Sequence, residues 1–179
     1  DVLELGIGAP LSGDSLLIGA PYTDATLPAG PRIDVGAAYV YTRLAAGWAL
    51  DSKLQARDAA ASDFFGRAVA LAGDTALIGA MYADPVTPAG VATDGGAAYI
   101  FSRADGRFTQ QQRLVADDVA TRDLFGCSVA LAPSGDQALI GADPRRAGGG
   151  ARRRPGDPRG VRRAHAWAAA KLHPARLGG

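Results

Sequence analysis

Short apolar runs that end at Gly-Asp turns dominate the first 143 residues of the chain. RAVALAG (67–73) and TALIGA (75–80) lie on either side of one such turn, and each is too short for an ordinary helix. After a loop rich in Pro, Gly and Asp comes GGAAYIFSR (95–103), whose central aromatic and β-branched residues favour a strand. The pattern predicts successive β-strands, with TALIGA buried on both faces.

A further strand follows in the first part of the chain, where WALDSKL alternates apolar and polar residues. The alternation places Trp48, Leu50 and Leu54 on one face and Asp51 and Lys53 on the other. Such a pattern predicts an outer strand that contacts water on one side.

The chain repeats itself every 60 residues. Aligning residues 1–60 with 61–120 without gaps gives identity at 23 of 60 positions, and GDQALIGA (135–142) begins a third copy after an insertion at Pro133-Ser134. Four strands per repeat without a helix leave three architectures: a propeller blade, a β-solenoid coil or a sandwich. A propeller fits best, since solenoid coils are usually much shorter than 60 residues and sandwiches do not need near-identical units.

We therefore expect an all-β chain that forms a partial β-propeller of about three four-stranded blades. The predicted divisions are blade 1 at 1–55, blade 2 at 56–115, the first half of blade 3 at 116–143, and an anomalous segment at 144–179.

Charge divides the chain at the same place. Residues 1–143 hold nine Lys/Arg and seventeen Asp/Glu, a balance of −8, whereas residues 144–179 hold ten and one, a balance of +9. The basic Arg/Gly/Pro-rich segment breaks the repeat, and three interpretations stay open: a shifted reading frame in a GC-rich gene, a disordered tail, or an arm for an anionic partner. Because no recognised nucleic-acid motif accompanies the arginines, nucleic acid is not the expected partner.

The repeats carry two short signatures at matching places. The first is Phe-Gly at Phe65-Gly66 and Phe125-Gly126, and the second is Gly19-Ala20-Pro21, which becomes Gly79-Ala80-Met81 in the second copy. Over residues 1–143 the chain resembles the FG-GAP repeat family, the blades of the integrin α-subunit propeller and of many bacterial secreted proteins. It departs from the family pattern at Leu5-Gly6, where the Phe is missing, and wherever the Pro is missing.

This resemblance carries expectations about architecture and role. It implies that the chain is a fragment of a seven-bladed ring in a secreted or cell-surface bacterial protein. The implied role is a non-catalytic binding or adhesion scaffold, with a protein or glycan ligand and the remaining blades as partners. Two alternatives stay open: a lectin-like carbohydrate-binding propeller, and a supporting domain of a larger extracellular enzyme.

No apolar run reaches the roughly 18 residues that a membrane span needs.

The longest loops of each repeat, residues 21–35 and 81–95, are the candidate binding region. By resemblance to the integrin family, their ligand-contact candidates are Tyr22, Asp24, Arg32, Asp34, Tyr82, Asp84 and Asp94. The structural alternative is that Asp24 and Asp84 cap the loops while the tyrosines pack between blades. Residues that differ between copies, such as Arg32 opposite Ala92, are the better candidates for specificity.

No cofactor is predicted, and calcium stays open only as an alternative. The calcium loop DxDxDG of integrin-type blades is absent, because the turns LSGDS, LAGDT and LAPSGDQ carry one Asp each and calcium needs six or more oxygens. Further acidic residues in the connections between blades could form turns or bind a cation. They are Asp58, Asp63, Asp117, Asp118 and Asp123.

Catalysis has little support in the sequence, and we expect that the chain is not an enzyme. General acid/base work near neutral pH most often uses His, but His165 and His173 both fall in the basic segment. Cys127, the one cysteine, occupies a strand position without a basic partner and is expected to be inert.

Overall fold

A computed structural model describes residues 8–27 and 30–143, and within these residues every regular element is a β-strand. The strands are β1 (Leu11–Ser12), β2 (Ser15–Ala20), β3 (Ala25–Leu27), β4 (Gly30–Arg32), β5 (Ala37–Leu44), β6 (Gly47–Leu54), β7 (Ala68–Ala72), β8 (Thr75–Ala80), β9 (Val86–Thr87), β10 (Gly90–Val91), β11 (Ala97–Ala104), β12 (Arg107–Leu114), β13 (Ser128–Leu131) and β14 (Ala138–Gly141). The basic segment 144–179 and Leu5-Gly6 lie outside the described residues, so the interpretations of that segment are untested.

Each of the first two repeats forms one four-stranded antiparallel sheet. The first sheet has the order β1-β2-β5-β6, the second has the order β7-β8-β11-β12, and the third repeat contributes the hairpin β13-β14. The four predicted strands per repeat are therefore present in both complete repeats. Two small hairpins that were not predicted, β3-β4 and β9-β10, lie inside the long loops.

The sheets pack on one another in chain order. Along one edge, β7 contacts both β1 and β13, and along the opposite edge β6 contacts β12. Hydrogen bonds also join the first repeat to the second: Gly73 N–H donates to Ser12 Oγ at 2.9 Å, and the N–H of Arg57, in the connection after β6, donates to Gln110 Oε1 at 2.9 Å. Corresponding edges of successive repeats therefore lie together.

Two hydrophobic cores lie between the sheets. Leu17, Val40 and Leu54 of the first sheet pack with residues of the second that include Ile78 and Tyr99. A second core joins the opposite face of the second sheet to the β13-β14 hairpin. Its members include Leu77, Ile100, Ala138 and Ile140. The prediction that TALIGA is buried on both faces is confirmed, since from Ala76 onward every residue of β8 is buried.

The outer strand of the first repeat differs from its prediction. A β-bulge at Asp51 breaks the pairing of β5 with β6 between Val40 and Tyr41, and a bulge residue shifts all later side chains to the other face. Leu54 is therefore buried in the core, whereas Leu50 and Lys53 share the opposite, open face with Trp48. The expected separation of apolar and polar faces along this strand was wrong.

Glycine contacts explain why the repeat signatures recur. Gly66 donates its N–H to the carbonyl of Gly79 in its own repeat at 3.0 Å, and its carbonyl occupies the space where a Cβ of Gly19 would stand. Gly126 stands in the same relation to Gly141 and Gly79. The Phe-Gly of one repeat thus lies against the Gly-Ala of the preceding one, at a distance that excludes any side chain.

The other signature residues fill the interior. Phe65 and Phe125 are buried in the first and second core respectively, and Ala20, Pro21 and Ala80 are buried as well.

Candidate functional site

The long loops and the connections between repeats gather at one end of the sheets. Because the strands are antiparallel, the β2–β5 and β8–β11 loops lie at the same end as the connections that follow β6 and β12. We call this the loop end, formed by residues 21–27, 30–36, 55–67, 81–96 and 115–127. The tight turns, such as Ala45-Ala46, lie at the opposite turn end.

The predicted aspartates close the two long loops. Asp24 Oδ1 accepts a hydrogen bond from the Asp34 N–H at 2.9 Å, and Asp84 Oδ1 accepts one from the Asp94 N–H at 2.8 Å. Asp34 and Asp94 have φ values of 52° and 55°, a left-handed conformation that Asp tolerates better than most residues. One oxygen of Asp24 and one of Asp84 are thus used in holding the hairpins, as the structural alternative expects.

Each long loop is joined to the following connection by backbone hydrogen bonds. Residues 62, 64 and 65 donate their N–H groups to the carbonyls of residues 33–35 at 3.0 to 3.1 Å. Residues 122, 124 and 125 do the same with the carbonyls of residues 93–95 at 2.8 to 3.1 Å. The loop of one repeat and the connection to the next therefore form one continuous surface at each junction.

At the first junction the aromatic side chains form a row. The Phe64 ring centroid lies 5.4 Å from that of Tyr22 and 5.3 Å from that of Tyr82, both in edge-to-face geometry. Phe64 therefore fills the space between the tyrosines of successive repeats. Both tyrosines pack between repeats, yet Tyr22 remains 45% exposed.

The second junction has an open cavity at the corresponding place. Its volume is about 430 Å³, and its lining includes Tyr82, Asp94, Arg122 and Leu124. Tyr82 and Asp94 were candidates from the sequence, whereas Arg122 and Leu124 were missed. The signal that could have found them is departure from the repeat, since the preceding copy has Ser62 and Phe64 at these positions.

Apolar side chains are exposed in the same loops. Ile33 is 64% exposed, Val86 78% and Val91 58%. The sequence candidate Arg32 is half-buried beside Ile33, whereas the corresponding Ala92 is buried and donates its N–H to the Pro85 carbonyl at 2.9 Å. The two loops therefore present different surfaces although their backbones close in the same way.

Two aspartates of the connections form turns. Asp63 Oδ2 accepts the Ala60 N–H at 2.7 Å, and Asp123 Oδ2 accepts the Ala120 N–H at 2.7 Å. These bonds support the turn interpretation over the cation interpretation. Asp117 and Asp118 are exposed. Across residues 8–27 and 30–143, no three His, Cys, Asp or Glu side chains come together in a way that could hold a metal ion.

A polar cluster at the edge of the buried Tyr99 ring links the first connection to the second sheet. Asp58 Oδ2 lies 3.1 Å from Arg113 Nε, and the Tyr99 hydroxyl donates a hydrogen bond to the Asp58 carboxylate. Burial, together with this carboxylate, raises the pKa of Tyr99 far above its usual value.

Asp63 has the most unusual carboxyl group of this region. Burial raises its pKa from the ordinary 3.8 to about 6, and the negative charges of Asp58 and Asp84 act in the same direction. The Ala60 N–H and the Arg113 guanidinium oppose the increase. A pKa near neutrality makes this turn sensitive to pH.

The remaining candidate for chemistry is Cys127, which is half-buried. Burial raises the pKa of its thiol, which favours the protonated and less nucleophilic form. The part of the chain that the structure describes contains no helix that is long and apolar enough to cross a membrane.

Comparison with known proteins identifies the repeat. The family model described as FG-GAP repeat matches residues 48–101 and 108–153, which together are more than half of the chain. No curated protein sequence matches the chain. The repeats of this family are typical of extracellular or surface proteins.

Proposed function

Because the chain belongs to the FG-GAP repeat family, we propose that it is part of an integrin α-like β-propeller that serves as a non-catalytic binding scaffold in a secreted or surface-exposed bacterial protein. In this proposal each four-stranded sheet is one blade, and the loop end binds a protein partner.

The stacking of the sheets supports the propeller arrangement. Equivalent edges of successive repeats meet, with β7 against β1 and β13, as expected when blades share a common axis. The open face of the first sheet fits a further blade, because the same face of the second sheet is covered by the first. Trp48 is 43% exposed on that open face, whereas Phe108 at the equivalent place is 8% exposed.

The observation that carries the binding role is the exposed apolar surface at the loop end. Ile33, Val86 and Val91 are each more than half exposed; Val86 and Val91 lie in the β9-β10 hairpin and Ile33 directly follows the β3-β4 hairpin, so none of them lies at a sheet face that another blade could cover. Exposed apolar side chains in the loops at one end of a sheet stack are typical of a surface that binds another protein.

A binding screen with designed variants tests the proposal. The full chain is immobilised and screened against panels of extracellular proteins and of glycans, with the triple variant Ile33→Asp, Val86→Asp, Val91→Asp in parallel. We expect at least one protein ligand, with affinity reduced more than about 30-fold in the triple variant, because charged residues would be placed in a desolvated contact.

The control variant is Leu44→Asp. Leu44 is 55% exposed, as the loop residues are, but it lies beside the tight turn at the turn end. Equal loss of binding in the control and the triple variant would contradict a loop-end site. Specific binding of glycans and of no protein would favour the lectin-like alternative instead.

A further inference from the structure

The two junctions between repeats share one pattern of backbone hydrogen bonds, and two of the side-chain differences between them fall where the cavity lies. Residues 62 and 122 both have left-handed φ values, 63° and 66°, and residues 64 and 124 share a φ of 53°. Ser62 and Phe64 at the first junction become Arg122 and Leu124 at the second. The side chains thus change while the hydrogen-bonded frame around them does not.

The exchange of Phe for Leu opens the cavity. Phe64 packs edge-to-face on Tyr22, whereas Leu124 has no ring to place against Tyr82, and the cavity of about 430 Å³ occupies this position. Leu124 is itself 3% exposed, so it forms a fixed apolar wall.

The exchange of Ser for Arg gives the cavity a positive charge. Arg122 and Asp94 both line it, yet no ion pair joins them, and no described residue pairs with the Arg122 guanidinium. Two opposite charges therefore line the same cavity without forming an ion pair with each other. A guanidinium binds a carboxylate through two parallel hydrogen bonds, which makes it selective for that group.

We propose that this cavity, lined by Tyr82, Asp94, Arg122 and Leu124, binds an acidic side chain of a protein partner. The ligand carboxylate pairs with Arg122, a backbone N–H of the same ligand residue donates to the Asp94 carboxylate, and the ligand methylene groups contact Leu124. This inference rests on the proposed function, because it names the group that the loop end recognises.

A peptide carboxylate fits this surface better than a sugar acid does. The exposed Val86 and Val91 stand in the same loop as Tyr82 and Asp94 and offer an apolar contact to a polypeptide. The Tyr82 ring already packs against Phe64 and so offers a restricted stacking surface to a sugar.

The test is a titration of the full chain, followed by NMR, with N-acetyl-aspartate N-methylamide and its glutamate analogue. We expect saturable binding by at least one, on the order of millimolar, as suits a single charge-assisted contact, and no binding of the asparagine analogue. The variant Arg122→Ser should weaken binding at least about tenfold, and Leu124→Phe should abolish it by filling the cavity. Both variants copy the first junction, so they should fold normally, which a thermal melt checks.

Several results would overturn the inference. They are absence of saturable binding by either acidic probe, undiminished binding in folded Arg122→Ser or Leu124→Phe protein, and tighter binding of galacturonate than of both amino-acid probes. If a panel partner loses affinity in the loop triple variant but binds Arg122→Ser normally, the pocket assignment fails while the proposed function stands. If the probes bind but no protein partner is found, the proposed function fails on its own.

Discussion

The first and second sheets are built from one 60-residue template but differ in what covers them. Tyr99 is 1% exposed where Tyr39 is half-buried, and Phe108 is buried where Trp48 is exposed. Tyr99 and Phe108 lie on the face of the second sheet that packs on the first sheet. Tyr39 and Trp48 lie on the equivalent face of the first sheet, which is open. Equivalent apolar residues thus contribute differently to stability, because burial depends on the neighbouring sheet.

The arginines of the two repeats show the same contrast. Arg103 donates to Ser15 Oγ of the first sheet at 3.1 Å and lies over the Phe108 ring at 4.6 Å. Arg43 lies over Trp48 at 5.0 Å and reaches only the exposed Asp14 of its own repeat, at 4.0 Å. Arg103 of the second repeat therefore lies between the two sheets, whereas Arg43 of the first repeat lies on the open face.

The largest expected effect comes from removing the equivalent aromatic residues. Phe108→Ala should lower the free energy of unfolding by about 3 to 5 kcal/mol because it leaves a cavity in the first core. Trp48→Ala should lower it by less, about 1 to 2 kcal/mol, because the ring is 43% exposed and its removal opens no closed cavity. Urea denaturation of the full chain measures both, and losses of equal size would show that the open face is covered after all.

A smaller effect should appear in the pH dependence of stability. The pKa of Asp63 is higher in the folded chain, at about 6, than its ordinary value of 3.8, so its contribution to stability is complete below pH 3.8 and is lost as the pH rises through 6. Asp63→Asn keeps an oxygen acceptor for the Ala60 N–H but carries no charge. In the wild type, the free energy of unfolding should fall by on the order of 2 kcal/mol between pH 4 and pH 7, and Asp63→Asn should remove this fall.

The control for this pH effect is Asp123→Asn. Asp123 accepts the equivalent hydrogen bond from Ala120 but is more exposed than Asp63, so it measures the effect of the amide in the same turn. Thermal melts at a series of pH values give both curves. A wild-type curve that does not fall between pH 4 and pH 7, or an Asp63→Asn curve with the same slope, would contradict the argument.

Much of the fold could be predicted because the sequence repeats its strands. The apolar runs around GDTALIGA predicted β7 and β8, and alignment of the copies predicted the equivalent strands of the other repeats. The bulge at Asp51 could not be predicted, because it depends on how β6 pairs with β5 and not on the residues of β6 alone. The hairpins in the long loops were missed for a similar reason, since their pairing spans few residues and carries no alternating pattern.

The candidate site was predictable only in part. Sequence reasoning left two possible roles for Asp24 and Asp84, ligand contact and loop closure, and the hydrogen bonds from Asp34 and Asp94 support loop closure. The cavity at the second junction arises from an absence, the Phe ring that Leu124 lacks. Whether this replacement leaves a cavity depends on the position of Tyr82, which lies more than forty residues earlier in the sequence.

The smallest effect that sharpens the comparison concerns the two tyrosine hydroxyls. Tyr99→Phe removes the hydrogen bond to Asp58 inside a covered site and should cost about 1 kcal/mol, since the carboxylate keeps Arg113 as its partner. Tyr39→Phe should cost close to nothing, because Lys53 contacts the ring, at 5.9 Å from its centroid, and a phenylalanine ring preserves that contact.

The double variant Tyr99→Phe, Asp58→Asn decides whether the hydrogen bond causes the larger stability cost of Tyr99→Phe relative to Tyr39→Phe. If it does, Tyr99→Phe should cost less in the Asp58→Asn background than in the wild type, because an amide accepts a weaker bond than a carboxylate. A cost that is the same in both backgrounds would assign the effect to packing of the buried ring. The contrast between the repeats would then rest on apolar burial alone and not on the polar link between the first connection and the second sheet.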